Sequence, residues 1–277
     1  MYPRLRLLVI LVALVQLFTA IPASADELSK SASTTHELVL AADPWCPYNC
    51  EPGAESPGFM VELARAALAE DGIHVHYRTM PWTRAMQQAR IGEVDGVIGA
   101  ERFEAEGLVV PLRAFGVSTQ GIALRRDDPM KWQGTDSIGA RRVAFISGYD
   151  YAESVAVKAA ELNPDATMIE FTGDDALERM LLLLARQRVD LVVDDLNVLQ
   201  YKLKQLGLER QLRIVSTDVV APVYISLSPR LKEAALIADK LDEGIERLRE
   251  SGEFDRILAR YRIQSWTTDP ADPAPFD

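Results

Sequence analysis

Short apolar blocks alternate along the chain with stretches in which apolar residues recur every three or four positions. The first kind of pattern is typical of a buried strand and the second of an amphipathic helix. In the first third of the chain the pattern predicts strands at residues 38–42, 74–79 and 95–99 and helices at 58–71 and 82–91. Strands and helices that alternate in this way predict a parallel sheet with helices on its faces.

The same rhythm restarts after an extended segment at residues 117–125. It predicts strands at 142–146, 168–171 and 190–193, helices at 151–162, 174–188 and 196–206, a second extended segment at 212–227, and helices at 229–249 and 254–261. We therefore expect an α/β fold with two doubly wound lobes joined by two crossover strands. One lobe would comprise residues 37–118 and 220–266, and the other residues 119–219.

The first 25 residues differ from the rest. Two arginines, Arg4 and Arg6, precede an apolar run at 7–17, and the small residues at 23–25 suit a signal peptidase. The sequence predicts a signal peptide that is cleaved after residue 25. A transmembrane anchor is the alternative, although the apolar run is shorter than the roughly 20 residues that a bilayer requires. We expect a flexible leader at 26–36 and a disordered, proline-rich tail at 267–277.

The acidic composition argues against a nucleic-acid partner. The chain has 30 Lys and Arg against 41 Asp and Glu, a formal net charge of −11. Loss of the two arginines with the signal peptide would make the mature charge −13. Such a surface repels phosphate groups, so we expect no nucleic-acid partner. Because of the signal peptide, and because no later stretch is apolar enough to span a membrane, we expect a soluble periplasmic protein. We also expect it to be a monomer.

The two cysteines, Cys46 and Cys50, lie four positions apart. An exported compartment permits a disulfide between them, and Pro47 and Asn49 favour the tight turn that the bond requires. Free thiols are the alternative. Cys-x3-Cys has no second pair of metal ligands nearby, and His74 and His76 lack a neighbouring carboxylate. We expect no metal site and no cofactor.

Polar and aromatic residues follow the predicted strands where a sheet of this kind binds its ligands. Flat aromatic rings and a few convergent charges are typical of a small-molecule pocket. Each of these residues also has an alternative, purely structural role. Asp150 and Asp195, for example, would serve equally as N-caps of the helices that follow them. The candidate ligand-binding residues are Asp43, Trp45, Tyr48, Trp82, Arg84, Arg102, Ser147, Tyr149, Asp150, Asp194 and Asp195. We assign no catalytic residue.

Several segments, in their order and spacing, resemble the periplasmic solute-binding proteins of family 3, the amino-acid-type receptors of ABC importers. The segments are DPWCPY at 43–48, GFMVE at 58–62, PWTR at 81–84, GEVDG at 92–96, RVAFISG at 142–148, VDLVVDD at 189–195 and LRESG at 248–252. The resemblance covers nearly the whole mature chain. It implies the type II periplasmic-binding-protein fold, closure of two lobes around one ligand, and a membrane permease as partner.

The resemblance also implies roles for two candidates. Family members hold the α-carboxylate of an amino acid with an arginine after the third strand and the α-ammonium with an aspartate in the second lobe, which by position are Arg102 and Asp195. This chain departs from the family pattern in two places. Residues 99–102 lack the usual small hydroxyl residues, and Gly148 is followed by Tyr149 and Asp150 where the family commonly has a Thr or Ser pair. The candidates include more acids than bases, so a cationic or amine-bearing ligand is as compatible with them as an amino acid. Under these roles, Asp195→Ala is expected to remove stabilisation by ligand and to leave the fold intact.

Two other functions suit the same two-lobed architecture. One is a periplasmic enzyme resembling a dehydratase, in which buried carboxylates act as general acids. Against it, no predicted strand ends at a histidine and no nucleophile elbow is present. The other is a sensor that presents bound solute to a signalling receptor.

Overall fold

The computed structural model describes residues 36–147, 149 and 165–266, which form a mixed eight-stranded sheet flanked by helices. The strands are β1 (His36–Ala42), β2 (Ile73–Thr79), β3 (Gly96–Ala100), β4 (Gly116–Arg125), β5 (Arg142–Ile146), β6 (Thr167–Phe171), β7 (Leu191–Asp195) and β8 (Leu212–Leu227). The α-helices of the described residues are α1 (Phe59–Ala69), α2 (Trp82–Ile91), α3 (Ala176–Ala185), α4 (Leu196–Leu206), α5 (Ala234–Glu250) and α6 (Glu253–Tyr261).

The predicted strands all recur within two residues of their expected bounds. The largest difference among the helices is at α5, which begins at Ala234 and not at residue 229. Residues before it form turns, and Glu233 has a left-handed backbone with φ of 63°, which a helix cannot continue through. His36 belongs to β1. The expected signal peptide, the leader up to residue 35, the helix at 151–162 and the tail lie outside the described residues.

The sheet consists of two parallel groups joined by an antiparallel pair. Its order is β2-β1-β3-β8-β4-β7-β5-β6, in which β1 pairs in parallel with β2 and β3, and β5 pairs in parallel with β6 and β7. The sixteen-residue β8 pairs antiparallel with β4 over most of its length and then with β3. The extended segments predicted from the sequence are therefore the two strands that connect the groups.

Both faces of β1 are covered, which explains why its residues 38–42 are apolar throughout, whereas β2 at the sheet edge alternates buried and exposed residues. In β1, Leu38 and Leu40 belong to the core cluster that contains α1, whereas Ala41 packs with Ala85 and Met86 of α2. Successive side chains of β1 point to opposite faces of the sheet, so the strand contributes to one hydrophobic core on each face.

The last helices return to the first strands. Gly244 of α5 lies so close to α1 that a Cβ there would stand 2.4 Å from the backbone oxygen of Ala67. Phe254 and Ile257 of α6 are buried in the same core as α1. The C-terminal helices therefore complete the core around the N-terminal strands.

No helix among the residues that the structure describes is both long enough and apolar enough to span a bilayer.

Candidate functional site

A pocket of about 80 Å³ lies where β1, β3 and β7 end and β4 passes between them. Carboxyl ends of parallel strands are the expected place for a ligand in an open α/β sheet. Its lining residues come from both parallel groups and are mostly polar or aromatic. They are Asp43, Trp45, Asn49, Trp82, Ile98, Gly99, Glu101, Glu104, Ser118, Gln120, Tyr149, Asp194, Asp195 and Val223.

A disulfide-closed loop after β1 forms one wall. Cys46 and Cys50 are bonded, with their Cα atoms 4.8 Å apart, so the predicted disulfide is confirmed. Within the loop the Trp45 amide donates to the carbonyl of Asn49 at 2.7 Å. The Asn49 amide group donates to the carbonyl of Asp43 at 2.5 Å. These bonds fix the Trp45 and Asn49 side chains side by side at the pocket.

Tyr48, in the same loop, supports the pocket from behind and does not line it. Its ring is fully buried and stacks on Trp45 with centroids 3.9 Å apart. Its hydroxyl lies 2.8 Å from the carbonyl oxygen of Val117 and 2.9 Å from Asp195 Oδ2, and it accepts from the Asn197 amide at 3.0 Å. Burial and the charge of Asp195 raise the pKa of Tyr48 well above its ordinary value, so the hydroxyl stays protonated.

Asp195 is held by hydrogen bonds from the protein itself. Its Oδ1 accepts from the backbone amides of Asn197 and Val198, so it caps α4. Its Oδ2 accepts from the hydroxyls of Tyr48 and Ser118 and from the backbone amide of Thr119. Burial raises the pKa of Asp195 to about 6 despite these bonds. Asp195 therefore acts as the helix N-cap that the sequence allowed. Donors from the protein already bind both of its carboxylate oxygens.

Asp194 differs from its neighbour, because one of its oxygens is unsatisfied. Oδ1 accepts from the Asp195 amide at 2.7 Å, whereas Oδ2 is buried and makes no hydrogen bond. Asn49 Oδ1 and Trp45 Nε1 are likewise buried without a partner, although the indole is close enough to Asp194 to favour its ionised form. Burial is the largest cause that raises the pKa of Asp194 to about 8, and the negative charge of Asp195 adds to it.

Asp43 lines the same pocket and lies close enough to Asp194 for its charge to raise the pKa of Asp194. The Tyr149 hydroxyl donates to Asp43 Oδ2, and burial raises the pKa of Asp43 to about 6. This hydrogen bond joins the end of β1 to the segment after β5. Trp82, the first residue of α2, lines the pocket beside Asp43.

The two candidate arginines do not line this pocket. The guanidinium of Arg102 stacks over the ring of Tyr224 at 4.4 Å and donates to the carbonyl of Pro111 at 3.2 Å. Arg84 is exposed on α2. Ser147 lines an adjoining cavity of about 580 Å³ that shares Asp43 and Asp194 with the pocket, and Asp150 lies outside the described residues.

Several lining residues were not among the candidates. Ser118 and Gln120 are polar positions inside β4, and their alternation along the strand is the only sequence signal that could have found them. Glu101 and Glu104 follow β3. Asn49 could have been suspected because a disulfide-closed turn holds it.

Gly99 keeps the pocket open beside Trp45. Its φ of +101° is left-handed, and a Cβ would lie 3.6 Å from Trp45 Cε3 and 3.8 Å from Asn49 Oδ1. We expect Gly99→Ala to lower Tm by a few degrees, through about 1 kcal/mol of backbone strain, and to weaken solute binding. Gly134→Ala is the matched control, with a φ of +99° and no atom near its Cβ. Differential scanning fluorimetry should show a loss of stability in both variants, and a loss of solute binding in Gly134→Ala as large as in Gly99→Ala would refute this role.

Comparison with known proteins identifies the family. Residues 38–264 match the model of the bacterial extracellular solute-binding proteins, family 3. The chain belongs to this family. The resemblance noted in the sequence is thereby confirmed. A search of curated proteins finds no match to this family 3 chain.

Solved structures agree on the fold. An ancestral arginine-binding protein bound to arginine is 18% identical with a TM-score of 0.68, covering 81% of this chain and 97% of its own. A histidine kinase sensor domain with similarity to periplasmic binding proteins is 23% identical with a TM-score of 0.67, covering 82% and 96%. An ancestral amino-acid-binding protein described as a precursor of cyclohexadienyl dehydratase is 17% identical with a TM-score of 0.63, covering 81% and 95%. The predicted type II periplasmic-binding-protein fold is therefore confirmed for this family 3 protein.

Proposed function

We propose that this family 3 protein captures a small polar solute, an amino acid or an amine-bearing compound, between two lobes and delivers it to an ABC-type importer. The lobes are residues 37–118 with 220–266 and residues 119–219. The observation that carries the proposal is the composition of the pocket wall. Asp43 and Trp82 come from one lobe, and Gln120 and Asp194 come from the other.

The pocket is formed by hinge closure in this proposal. The connecting strands β4 and β8 have an irregular register between Thr119 and Gly121, where two backbones can bend together. The hydrogen bond from Tyr149 to Asp43 is a contact that would form as the lobes meet. Solute favours the closed form only through contacts that the open form lacks. A shift from mostly open to mostly closed requires a differential affinity on the order of 5 kcal/mol.

The proposed setting is the periplasm, reached through a cleaved signal peptide at residues 1–25. The membrane permease of an importer would recognise the closed lobes of a monomer. Membership in a family of extracellular solute-binding proteins supports this setting. The disulfide between Cys46 and Cys50 is also compatible with an oxidising compartment.

We expect freshly purified protein to carry its solute, which native mass spectrometry would detect as added mass. After removal of that solute, a thermal-shift screen of amino acids, amines and small organic acids should return at least one compound that raises Tm by several degrees, on the order of 2–3 kcal/mol at a hundredfold excess over Kd. Absence of both bound mass and any thermal shift would overturn the proposal.

A sensor is the second candidate, because a histidine kinase sensor domain is among the similar structures. Deletion of the gene separates the two. An importer component is needed for uptake of the labelled solute, whereas a sensor component is needed for a transcriptional response and not for uptake. The similarity to a dehydratase precursor is tested in the same binding assay, since recovery of chemically unchanged solute excludes turnover.

A further inference from the structure

We propose that the pocket binds a primary alkylammonium group on a solute that carries no carboxylate next to it. This inference rests on the proposed function and names its class of solute. It depends on three properties of the wall: its charge, its unsatisfied hydrogen-bonding atoms and its aromatic rings.

Carboxyl groups line the pocket on the sides formed by β1 and β7, and a bound cation favours their ionised forms. They are the side chains of Asp43, which follows β1, and of Asp194 and Asp195 at the end of β7. None of the described residues that line the pocket is a lysine, arginine or histidine. The α-carboxylate of an amino acid would therefore lie among carboxyl groups with no described cation beside it, an arrangement that disfavours its binding.

The residue expected to neutralise that carboxylate is engaged elsewhere. Arg102 stacks over Tyr224 and donates to the carbonyl of Pro111. Lys202 is a cation of the adjoining cavity, where it shares the wall with Glu51 and Asp174. The 80 Å³ pocket itself therefore suits an ammonium group and not a zwitterion.

The unsatisfied atoms specify the kind of cation. Asp194 and Asn49 line the pocket at 1% and 0% exposure, and Asp194 Oδ2 and Asn49 Oδ1 accept no hydrogen bond from the protein, although the unpaired indole N–H of Trp45 lies near Asp194. Buried acceptors without a donor are costly, and a ligand with N–H groups removes that cost. A primary ammonium has three such donors. A quaternary ammonium has none, so it would leave both oxygens unsatisfied.

The aromatic rings and the spacing of the acids favour an organic cation over a metal ion. Trp45, Trp82 and Tyr149 line the pocket, and aromatic faces attract alkylammonium groups. Throughout the part of the chain that the structure describes, no group of three or more His, Cys, Asp or Glu side chains is arranged to hold a metal.

Pairs of solutes that differ only by a carboxylate test this inference. We would measure Kd by isothermal titration calorimetry at pH 8 for putrescine against ornithine, cadaverine against lysine and agmatine against arginine. We expect the decarboxylated member of at least one pair to bind on the order of 100-fold more tightly, and tetramethylammonium to bind no better than the amino acids.

A second measurement locates the binding to Asp194. Asp194→Asn should weaken binding of the preferred amine at least about tenfold, whereas Asp239→Asn, an exposed substitution on α5, should leave Kd unchanged. The paired titrations use the unmodified protein and so do not depend on how the variant folds.

The outcomes distinguish the two proposals. If the amino acids bind as tightly as their decarboxylated partners, or if only solutes without an amine bind, the inference is overturned while the proposed solute-binding function stands. If native mass spectrometry and the wider screen find no solute at all, the proposed function fails with it.

Discussion

The solute-free protein is expected to lose thermal stability above pH 6, and replacing Asp194 with asparagine is expected to remove that loss. Burial raises the pKa of Asp194 from 3.8 to about 8 in the folded protein. The unfolded chain therefore loses this proton near pH 4, whereas the folded protein keeps it until about pH 8. Between those values the folded state holds one more proton, so its stability falls as the pH rises.

The groups that face Asp194 determine where this effect is visible. Asp43 and Asp195, whose pKa values are raised to about 6 by burial, add a similar loss of stability between about pH 4 and 6. Trp45 acts in the opposite direction, because its indole favours the ionised form of Asp194. Of these three carboxyl groups, Asp194 is the one whose contribution continues to about pH 8.

Scanning fluorimetry of solute-free protein from pH 5 to 9 measures the effect. One pKa unit corresponds to about 1.4 kcal/mol, so the unmodified protein should lose on the order of 5–10 °C in Tm between pH 6 and 8. Asp194→Asn should be nearly flat over that interval, and Asp239→Asn should follow the unmodified protein. Equal slopes in Asp194→Asn and the unmodified protein would show that Asp194 does not hold its proton in the folded state.

Asp195→Ala is expected to destabilise the fold strongly, by on the order of 4 kcal/mol, or about 10 °C in Tm. The substitution removes the N-cap of α4 and leaves the hydroxyls of Tyr48 and Ser118 without this acceptor. From the sequence alone we expected Asp195→Ala to leave the fold intact. Because of these hydrogen bonds, we now expect the substitution to destabilise it. Urea unfolding followed by circular dichroism gives the free energy directly.

Asp175→Ala is the matched control for this substitution. Asp175 stands at the N-cap of α3, but its side chain makes no capping hydrogen bond, and its ion pair with Arg179 is exposed. Its removal should change stability by less than about 1 kcal/mol. A result in which both variants lose equal stability would mean that the hydrogen bonds to Asp195 contribute little.

The order of strands and helices was predictable because each element has its own period of apolar residues. The start of α5 was not, since the left-handed turn at Glu233 is not visible in a pattern that continues through it. The ends of the predicted strands also indicated five residues that line the pocket, namely Asp43, Trp45, Tyr149, Asp194 and Asp195.

The sequence pattern did not predict the direction in which a side chain extends or the hydrogen bonds that it makes. A long arginine after β3 can extend to either side of the backbone, and here Arg102 lies over Tyr224. Asp194 and Asp195 are adjacent and chemically identical, yet only Asp195 is surrounded by internal donors. Which of the two keeps an unsatisfied oxygen depends in part on donors from distant parts of the chain, the hydroxyls of Tyr48 and Ser118 and the amide of Thr119.

The pairing of β3 with β8, together with the return of α5 and α6 to α1, has a consequence for the nascent polypeptide. Residues that emerge first from the ribosome cannot complete their sheet until residues 224–227 arrive, or their core until Tyr261 does. Contacts so distant in sequence form slowly. The amino-terminal strands can therefore pair with one another early but lack part of their sheet and core until almost the whole polypeptide has been synthesised, a delay that would suit the export proposed above.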